Sequence, residues 1–422
     1  MNPRILQPAT NVTMLLIAFA ATQPGLEADD WPQFLGKARN GLSAESGLIS
    51  AIPKSGLKDI WNTPLGVGMS GLAVADGRLF TMFQDESAQY AVSLSTTDGS
   101  ILWKSEIAAV YQNAMGHGPR ATPCLYEAMV LIYSGEGILV SLDLKTGEKN
   151  WTVNVPRELG GQPSEYGMSC SPLVADGKVI VHAGTPSAAI AAFDSETGKL
   201  SWTAGQGNAG YSSPVLMTLA GKTQIVSLTG AGAAGINPQD GTVLWFHEFP
   251  TEYDCNTANP VQLSDDTVLI SAGENHGTAV LKIEPEGDIQ QASEAWTSFG
   301  KDSQLRAEWQ TPVVIDGHLY GLDNVGSAGP ITNLVCIRLK DFETVWQKTR
   351  FGKSNLTAAD GKLFLTTMDG ELVLIEATPA AFRELGRTSV LESTRQAPVI
   401  ADGRLFVRDD QRVMCFDIRA SR

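Results

Sequence analysis

Short apolar runs of four to eight residues, separated by glycine-containing turns, recur along nearly the whole chain, and helical spacing is nowhere sustained. The clearest copy is Ser171 to Trp202. Pro172 opens a run ending at Asp176-Gly177, the apolar segment Val179 to Val181 leads to a second turn, Ile190 to Asp194 follows, and Thr197-Gly198 turns the chain toward Trp202. This pattern predicts four short strands. Asp-Gly and Thr-Gly tolerate the positive φ of a tight hairpin, and β-branched and aromatic residues fill a half-buried pleated surface. A proline at a strand's first residue gives up an N–H that the ladder does not need.

Copies begin at Leu72, Pro123, Pro172, Pro214, Pro260, Pro312, Leu356 and Pro398, 42 to 52 residues apart. A glycine stands four residues before tryptophan in Gly99/Trp103, Gly147/Trp151, Gly198/Trp202 and Gly241/Trp245. The unit at Pro260 stretches this turn, that at Pro312 lacks the glycine, and that at Leu356 has neither. Eight units of this period predict an all-β fold, an eight-bladed β-propeller of four-stranded antiparallel blades. The last unit, Pro398 to Asp417, has only three strands, and the segment Lys58 to Asn62 looks like an orphan fourth. Pairing this N-terminal strand with the C-terminal blade closes the ring and removes its open edges. Each blade tryptophan would bury about 150–250 Å², an upper bound of roughly 4–6 kcal/mol, and is expected to be wedged between blades as the main source of radial cohesion.

Residues 1–28 read as a signal peptide: Arg4, an apolar core from Val12 to Ala21, and small residues that place cleavage after Ala20 or Ala28. About ten apolar residues is half of what a span needs. Residues 29–57, with Trp31, Pro32, Gly36 and Gly41, form an extension expected to pack on the propeller of residues 58–422. The chain is thus expected to be exported, periplasmic or secreted, without a membrane span, and monomeric. Acidic residues outnumber basic ones 46 to 31, the net charge is −15, and no Lys/Arg block occurs, which argues against nucleic acid and anionic membrane as partners. The five cysteines, Cys124, Cys170, Cys255, Cys336 and Cys415, are scattered without a CxxC and read as small core residues.

The array of Ser171-Pro172, Asp176-Gly177, Phe193-Asp194 and Thr197-Gly198/Trp202 resembles the repeat of pyrroloquinoline-quinone-like (PQQ-like) eight-bladed propellers, over about Lys58 to Asp417. The opening DWPQFLGKARNG is similar to that of secreted bacterial members. The resemblance implies one of two branches: quinoprotein dehydrogenases, which hold the quinone at the propeller's centre, or the propeller subunit of the outer-membrane β-barrel assembly machinery, a scaffold. The first branch implies an adjacent cysteine pair, a calcium ion held by Glu and Asn, and a catalytic Asp. This chain has no adjacent cysteines, no CxxCH and no compact DxDxDG-like ligand run. The second branch typically carries a cysteine just after the signal, whereas the first cysteine here is Cys124. The resulting expectation is a binding or scaffolding protein without catalysis or cofactor, its partner an envelope protein or a small polar ligand. The alternative is an alcohol or sugar dehydrogenase using PQQ with Ca²⁺.

Candidate chemistry lies just upstream of each repeat's proline, because in a propeller these segments surround the mouth of the central channel. They supply Arg120, Glu165, Tyr166, Tyr211, Asp254, Asn256, Glu308, Trp309, Lys353 and Arg395. Polar groups converging in a concavity are a binding-site hypothesis, with Arg120, Lys353 and Arg395 set against Glu165, Asp254 and Glu308. The plainer alternative is a wet mouth whose polar residues bind water and stitch blades together. None of the five histidines has a ligand-type partner at i, i+2 or i, i+4, so structural or surface roles are expected. The run Gly230 to Gly235 reads as a turn and a small-residue strand, since no helix follows it.

Overall fold

The Asp-Gly steps of the repeat turn with both residues in the left-handed region, as at Asp76-Gly77 (φ 51° and 71°) and Asp176-Gly177 (φ 51° and 67°). This is the geometry that joins two antiparallel strands in register. The computed structural model describes residues 30–185, 187–326 and 331–420. The signal peptide expected over residues 1–28 lies outside them. The strands form eight antiparallel four-stranded sheets in simple meander order, and helix among the described residues is limited to the single turn Val155–Glu158 and two 3₁₀ turns. We number the blades 1 to 8 by their innermost strands: Ala73–Ala75, Cys124–Tyr126, Leu173–Ala175, Val215–Leu219, Val261–Gln262, Val313–Ile315, Ser354–Ala359 and Val399–Ala401. Blade 7 starts two residues before the expected Leu356, because Ser354 and Asn355 already pair with Thr367 and Thr366. The strand Gly232–Ile236 in blade 4 is the expected small-residue strand.

The ring closes as the orphan strand requires. Asp59–Pro64 is the fourth strand of blade 8 and pairs antiparallel with Arg412–Asp417, Trp61 opposite Cys415. Buried Arg408 of blade 8 clamps this joint. Its guanidinium donates to Thr81 Oγ1 (2.7 Å), Met82 O (2.7 Å) and Gly68 O (2.9 Å) around blade 1, and burial draws its pKa down to about 10 against the opposing field of Asp410 and Asp409.

The closing motif works between blades. Beside each tryptophan the pairing to the third strand slips by one residue, a bulge that re-aims the side chain. The tryptophan of one blade lies on the motif glycine of the next: Trp61 on Gly99, Trp103 on Gly147, Trp151 on Gly198 and Trp202 on Gly241. The indole N–H of the same residues donates to a carbonyl in or beside that turn: Thr96, Leu144, Ser195 and Pro238 at 2.8–3.1 Å. The glycine therefore serves the neighbour's tryptophan. Where it is missing the contact changes: Trp296 stacks on Phe342 (centroids 4.6 Å apart), and Trp346 bonds Thr378 O and meets Phe382 edge-on. In blade 7 the register position of the tryptophan holds Gly386, opposite Leu374. Ile52 of the N-terminal extension occupies that place, since a Cβ on Gly386 would fall 2.8 Å from Ile52 Cβ.

Around the channel, the residues before Pro123, Pro172, Pro214, Pro260 and Pro312 form a relay. Thr122 N donates to Ser171 Oγ, Ser171 N to Ser213 Oγ, Ser213 N to Asn259 Oδ1 and Asn259 N to Thr311 Oγ1, all at 2.8–3.0 Å. Buried backbone donors need such partners, which gives the serine of the Ser-Pro motif its purpose.

Gly198 and Gly177 test the docking. Both have positive φ, but only Gly198 lies under a tryptophan, 2.7 Å from its virtual Cβ, while nothing stands within 4 Å at Gly177. Gly177→Ala should show only the backbone cost of about 1 kcal/mol, and Gly198→Ala a further loss of about 1–3 kcal/mol from overpacking. Melting temperatures of the two variants compared with the parent check the ranking.

Candidate functional site at the channel mouth

The segments that lead into the innermost strands surround a cavity of about 640 Å³ to which all eight blades contribute. Its floor is the N-terminal extension, with Trp31, Phe34 and Leu35 among the lining residues. The extension crosses the channel by bonding to one inner strand after another. Trp31 pairs with Val74 of blade 1, and Pro32 O accepts from Leu125 of blade 2. Gly41 and Ser43 bracket Ala358 of blade 7, and the Glu45 carboxylate accepts from Gly403 N of blade 8. At the centre Arg39, 2% exposed, donates to the carbonyls of Ser171 (3.2 Å), Pro172 and Pro214 (2.7 Å). Burial lowers its pKa, and the carbonyl dipoles take the place of a counter-ion. The result is a cup with an aromatic floor.

Seven of the ten residues expected at the mouth line this cup: Arg120, Tyr166, Tyr211, Glu308, Trp309, Lys353 and Arg395. Trp309 is its centrepiece. It is held at φ +64°, a costly conformation for an aromatic residue, of order 1–3 kcal/mol. Its backbone N–H donates to Thr257 Oγ1 (3.0 Å). The Lys353 ammonium lies over its ring at 4.2 Å and the Arg395 guanidinium at 5.0 Å, distances at which cation–π attraction is effective. Lys353 also pairs with Glu308 Oε1 at 2.8 Å, both side chains largely buried. Arg120 stacks over Tyr111 (4.9 Å) and donates to Gly118 O and Gly116 O. Burial and the nearby Arg395 charge lower its pKa, against Tyr111. Tyr166 and Tyr211 stand with centroids 5.7 Å apart, and burial raises the Tyr211 phenol above its ordinary range.

The other three expected residues do not line the cup. Asn256 is fully buried, and its amide donates to Thr229 O (2.7 Å) and Phe249 O (3.1 Å), which makes it a brace beneath the rim. Asp254 accepts from Asn208 (2.6 Å) at a turn where it and Tyr253 both have positive φ. Glu165 is exposed, its carbonyl bonded to Asn113. The cup is also lined by Met69, Met115 and Glu274, which the repeat pattern does not point to, besides the floor residues. Tyr253 and Cys255, which also line it, lie within the mouth segment Tyr253 to Asn256 that precedes Pro260. Met69, Met115 and Glu274 lie in connections with no repeat signature. The cysteines are all free; Cys255 alone is not buried and alone lines the cup.

A ring of eight four-stranded blades, built on a Pro, Asp-Gly and Trp repeat and cupped at one mouth, defines a PQQ-like propeller. The family model described as outer membrane protein assembly factor BamB matches residues 45–165 and 87–348, more than half of the chain, and the chain belongs to that family. It is 19% identical over 310 residues to the outer membrane protein assembly factor BamB of Yersinia pestis, covering 73% of this chain and 75% of that protein. It is 42% identical over 80 residues to the dehydrogenase subunit of a quinone alcohol dehydrogenase from Gluconacetobacter polyoxogenes, covering 17% of this chain and 11% of that protein. Among solved structures, quinohemoprotein alcohol dehydrogenase from Comamonas testosteroni superposes with a TM-score of 0.67 at 15% identity, over 93% of this chain and 81% of that one. BamB from Moraxella catarrhalis superposes with 0.60 at 14% identity, over 87% and 99%. At these identities the superpositions show the fold, which both branches share.

Burial, helped by Glu274, Glu308, Asp254 and Glu165, pushes the Cys255 thiol up to about 11. The thiolate is the reactive form, so at pH 8 alkylation of Cys255 should run about 100-fold below that of a thiol with pKa 9 and should climb until about pH 11. Mass spectrometry of iodoacetamide-treated protein reads this directly.

Proposed function

We propose that this chain is an exported, non-catalytic binding or scaffolding protein of the cell envelope, with the cup as its binding site. The observation that carries the reading is the chemistry of the cup. It offers aromatic faces and three cationic side chains, but its acidic groups do not gather into a cation site: Glu308 is engaged by Lys353, and the described residues hold no group of three or more His, Cys, Asp and Glu able to bind a metal. Calcium takes six to eight oxygen ligands. Nor is there a cysteine partner for Cys255 at the mouth. The residues present therefore do not fit a calcium-bound quinone.

The pattern of relatives supports the same reading. Likeness to the assembly factor runs along three quarters of both chains, whereas likeness to the quinone dehydrogenase subunit is confined to about a tenth of that protein. No helix among the described residues is long and apolar enough to cross a membrane. Export rests on the leader read in residues 1–28 and on the kinship with an outer membrane assembly factor.

Two measurements test the proposal. With PQQ and Ca²⁺ added, the purified protein should retain no quinone absorbance after gel filtration and show no dye-linked oxidation of alcohols or sugars; turnover would establish the dehydrogenase instead. Expressed with its own leader in a Gram-negative host, the chain should be recovered shortened from the envelope fraction. Recovery from the cytoplasm with Met1 intact would refute export.

A further inference from the structure

Arg39, Arg306 and Arg408 are buried, and each has all three of its side-chain nitrogens engaged. Arg39 donates from Nε to Gln33 Oε1 (2.9 Å) and from Nη1 and Nη2 to the inner-strand carbonyls. Arg306 grips both oxygens of Asp323 (2.7 and 2.8 Å) and turns Nη1 to the carbonyls of Gly300 and Lys301. Arg408 adds Asp409 O (3.2 Å) to its contacts around blade 1. This is what a guanidinium held away from water for structural reasons requires.

Arg120 and Arg395 are different. Both are half-buried and line the cup. Arg120 donates from Nη1 to Gly118 O (2.7 Å) and from Nη2 to Gly116 O (2.8 Å), while Arg395 donates from Nη1 alone, to Met115 O (2.6 Å) and Met69 Sδ (3.4 Å). Arg120 Nε and Arg395 Nε and Nη2 thus bond no group among the described residues, and none of the three is sealed off from solvent. The two guanidiniums are neighbours: burial lowers the Arg120 pKa and the Arg395 charge adds to it, against Tyr111, Glu136 and Tyr211. Neither forms an ion pair with a carboxylate among the described residues. Glu136 has both oxygens on Gln89 Nε2 (2.9 and 2.8 Å), and Asp410 feels the Arg408 and Arg395 charges without an ion pair to either.

Unspent donors on two adjacent planar forks match a carboxylate. One negative charge suits this corner better than two, because Glu136 and Asp410 already act on it, Glu308 and Glu274 line the same cup, and the chain carries a net charge of −15. The lining beside the arginines is apolar. Met69 and Met115 adjoin Arg395, and Tyr211, paired with Tyr166, lies in reach of the Arg120 charge. Trp309 already carries Lys353 and Arg395 over its ring, so it positions Arg395. A cavity of about 640 Å³ lies within the range of small-ligand sites, roughly 300–1,000 Å³.

We propose that the cup binds a small organic monocarboxylate with an apolar body, its carboxylate on Arg120 and Arg395 and its body against Met69, Met115 and the Tyr166–Tyr211 pair. This rests on the reading of the cup as a binding site and names the chemical class of what it holds.

The probe is 2-naphthoate, titrated into the purified protein by calorimetry, with 2-naphthamide as its uncharged isostere and acetate as a carboxylate without a body. Naphthoate should bind about tenfold or more tighter than naphthamide, the worth of one charged hydrogen-bonded contact, and about tenfold or more tighter than acetate, through the apolar area it buries. In Arg120→Gln/Arg395→Gln the advantage of acid over amide should fall below about threefold, while naphthamide affinity and melting temperature stay near the parent's. If the double variant does not fold, Arg395→Gln alone should lose about threefold or more in naphthoate affinity. Equal binding of acid and amide, no binding at millimolar naphthoate, or tighter binding of doubly charged 2-naphthyl phosphate overturns the proposal. If no acid binds but photo-crosslinkers placed in the cup still capture an envelope protein, this inference alone fails; if neither occurs, the binding role of the cup fails with it.

Discussion

Everything in this propeller depends on a contact that no single blade can make for itself: an indole laid across the backbone of the next blade's turn. Without a side chain on Gly99, Gly147, Gly198 or Gly241, the tryptophan of the preceding blade reaches the peptide plane and bonds a carbonyl beside it. The contact is apolar and directional at once, so it fixes the rotation between blades as well as their distance. The adjacent bulge in the outer strand aims the ring. Because the last such joint unites Trp61 with blade 1, the ring closes by the same interaction that builds it.

The exceptions are equally instructive. Blade 7 offers Gly386 where the others offer tryptophan, and the N-terminal extension supplies Ile52 in its place. The same extension also runs across the channel, so the segment that completes the joint lacking a tryptophan makes the floor of the cup as well. Arg39 explains how a charge can sit there. Its guanidinium collects three backbone carbonyls at the start of two inner strands, those of Ser171, Pro172 and Pro214.

Much of this was legible in the sequence because it repeats. Proline, Asp-Gly and tryptophan at fixed spacing gave the strand order, the number of blades and the closing strand, down to a two-residue shift at Ser354. The candidate site was legible only as far as it sits beside those landmarks. Seven of the chosen mouth residues line the cup, but Asn256 resembles them in sequence and differs in fate, because a single turn decides whether an amide faces the cavity or the carbonyls of Thr229 and Phe249. The floor could not be read at all. Nothing in Trp31 or Arg39 says that an irregular segment will thread the channel, since that follows from shape and not from periodicity.

The relay around the channel carries one more implication. From Thr122 to Thr311 each link gives its N–H forward and receives from behind, so the bonds run head to tail in one rotational sense. The run spans blades 2 to 6 and ties each of their inner strands to the next. Removing one hydroxyl strands the donor behind it but leaves the link ahead, made by the backbone N–H, in place, so damage stays at a single seam.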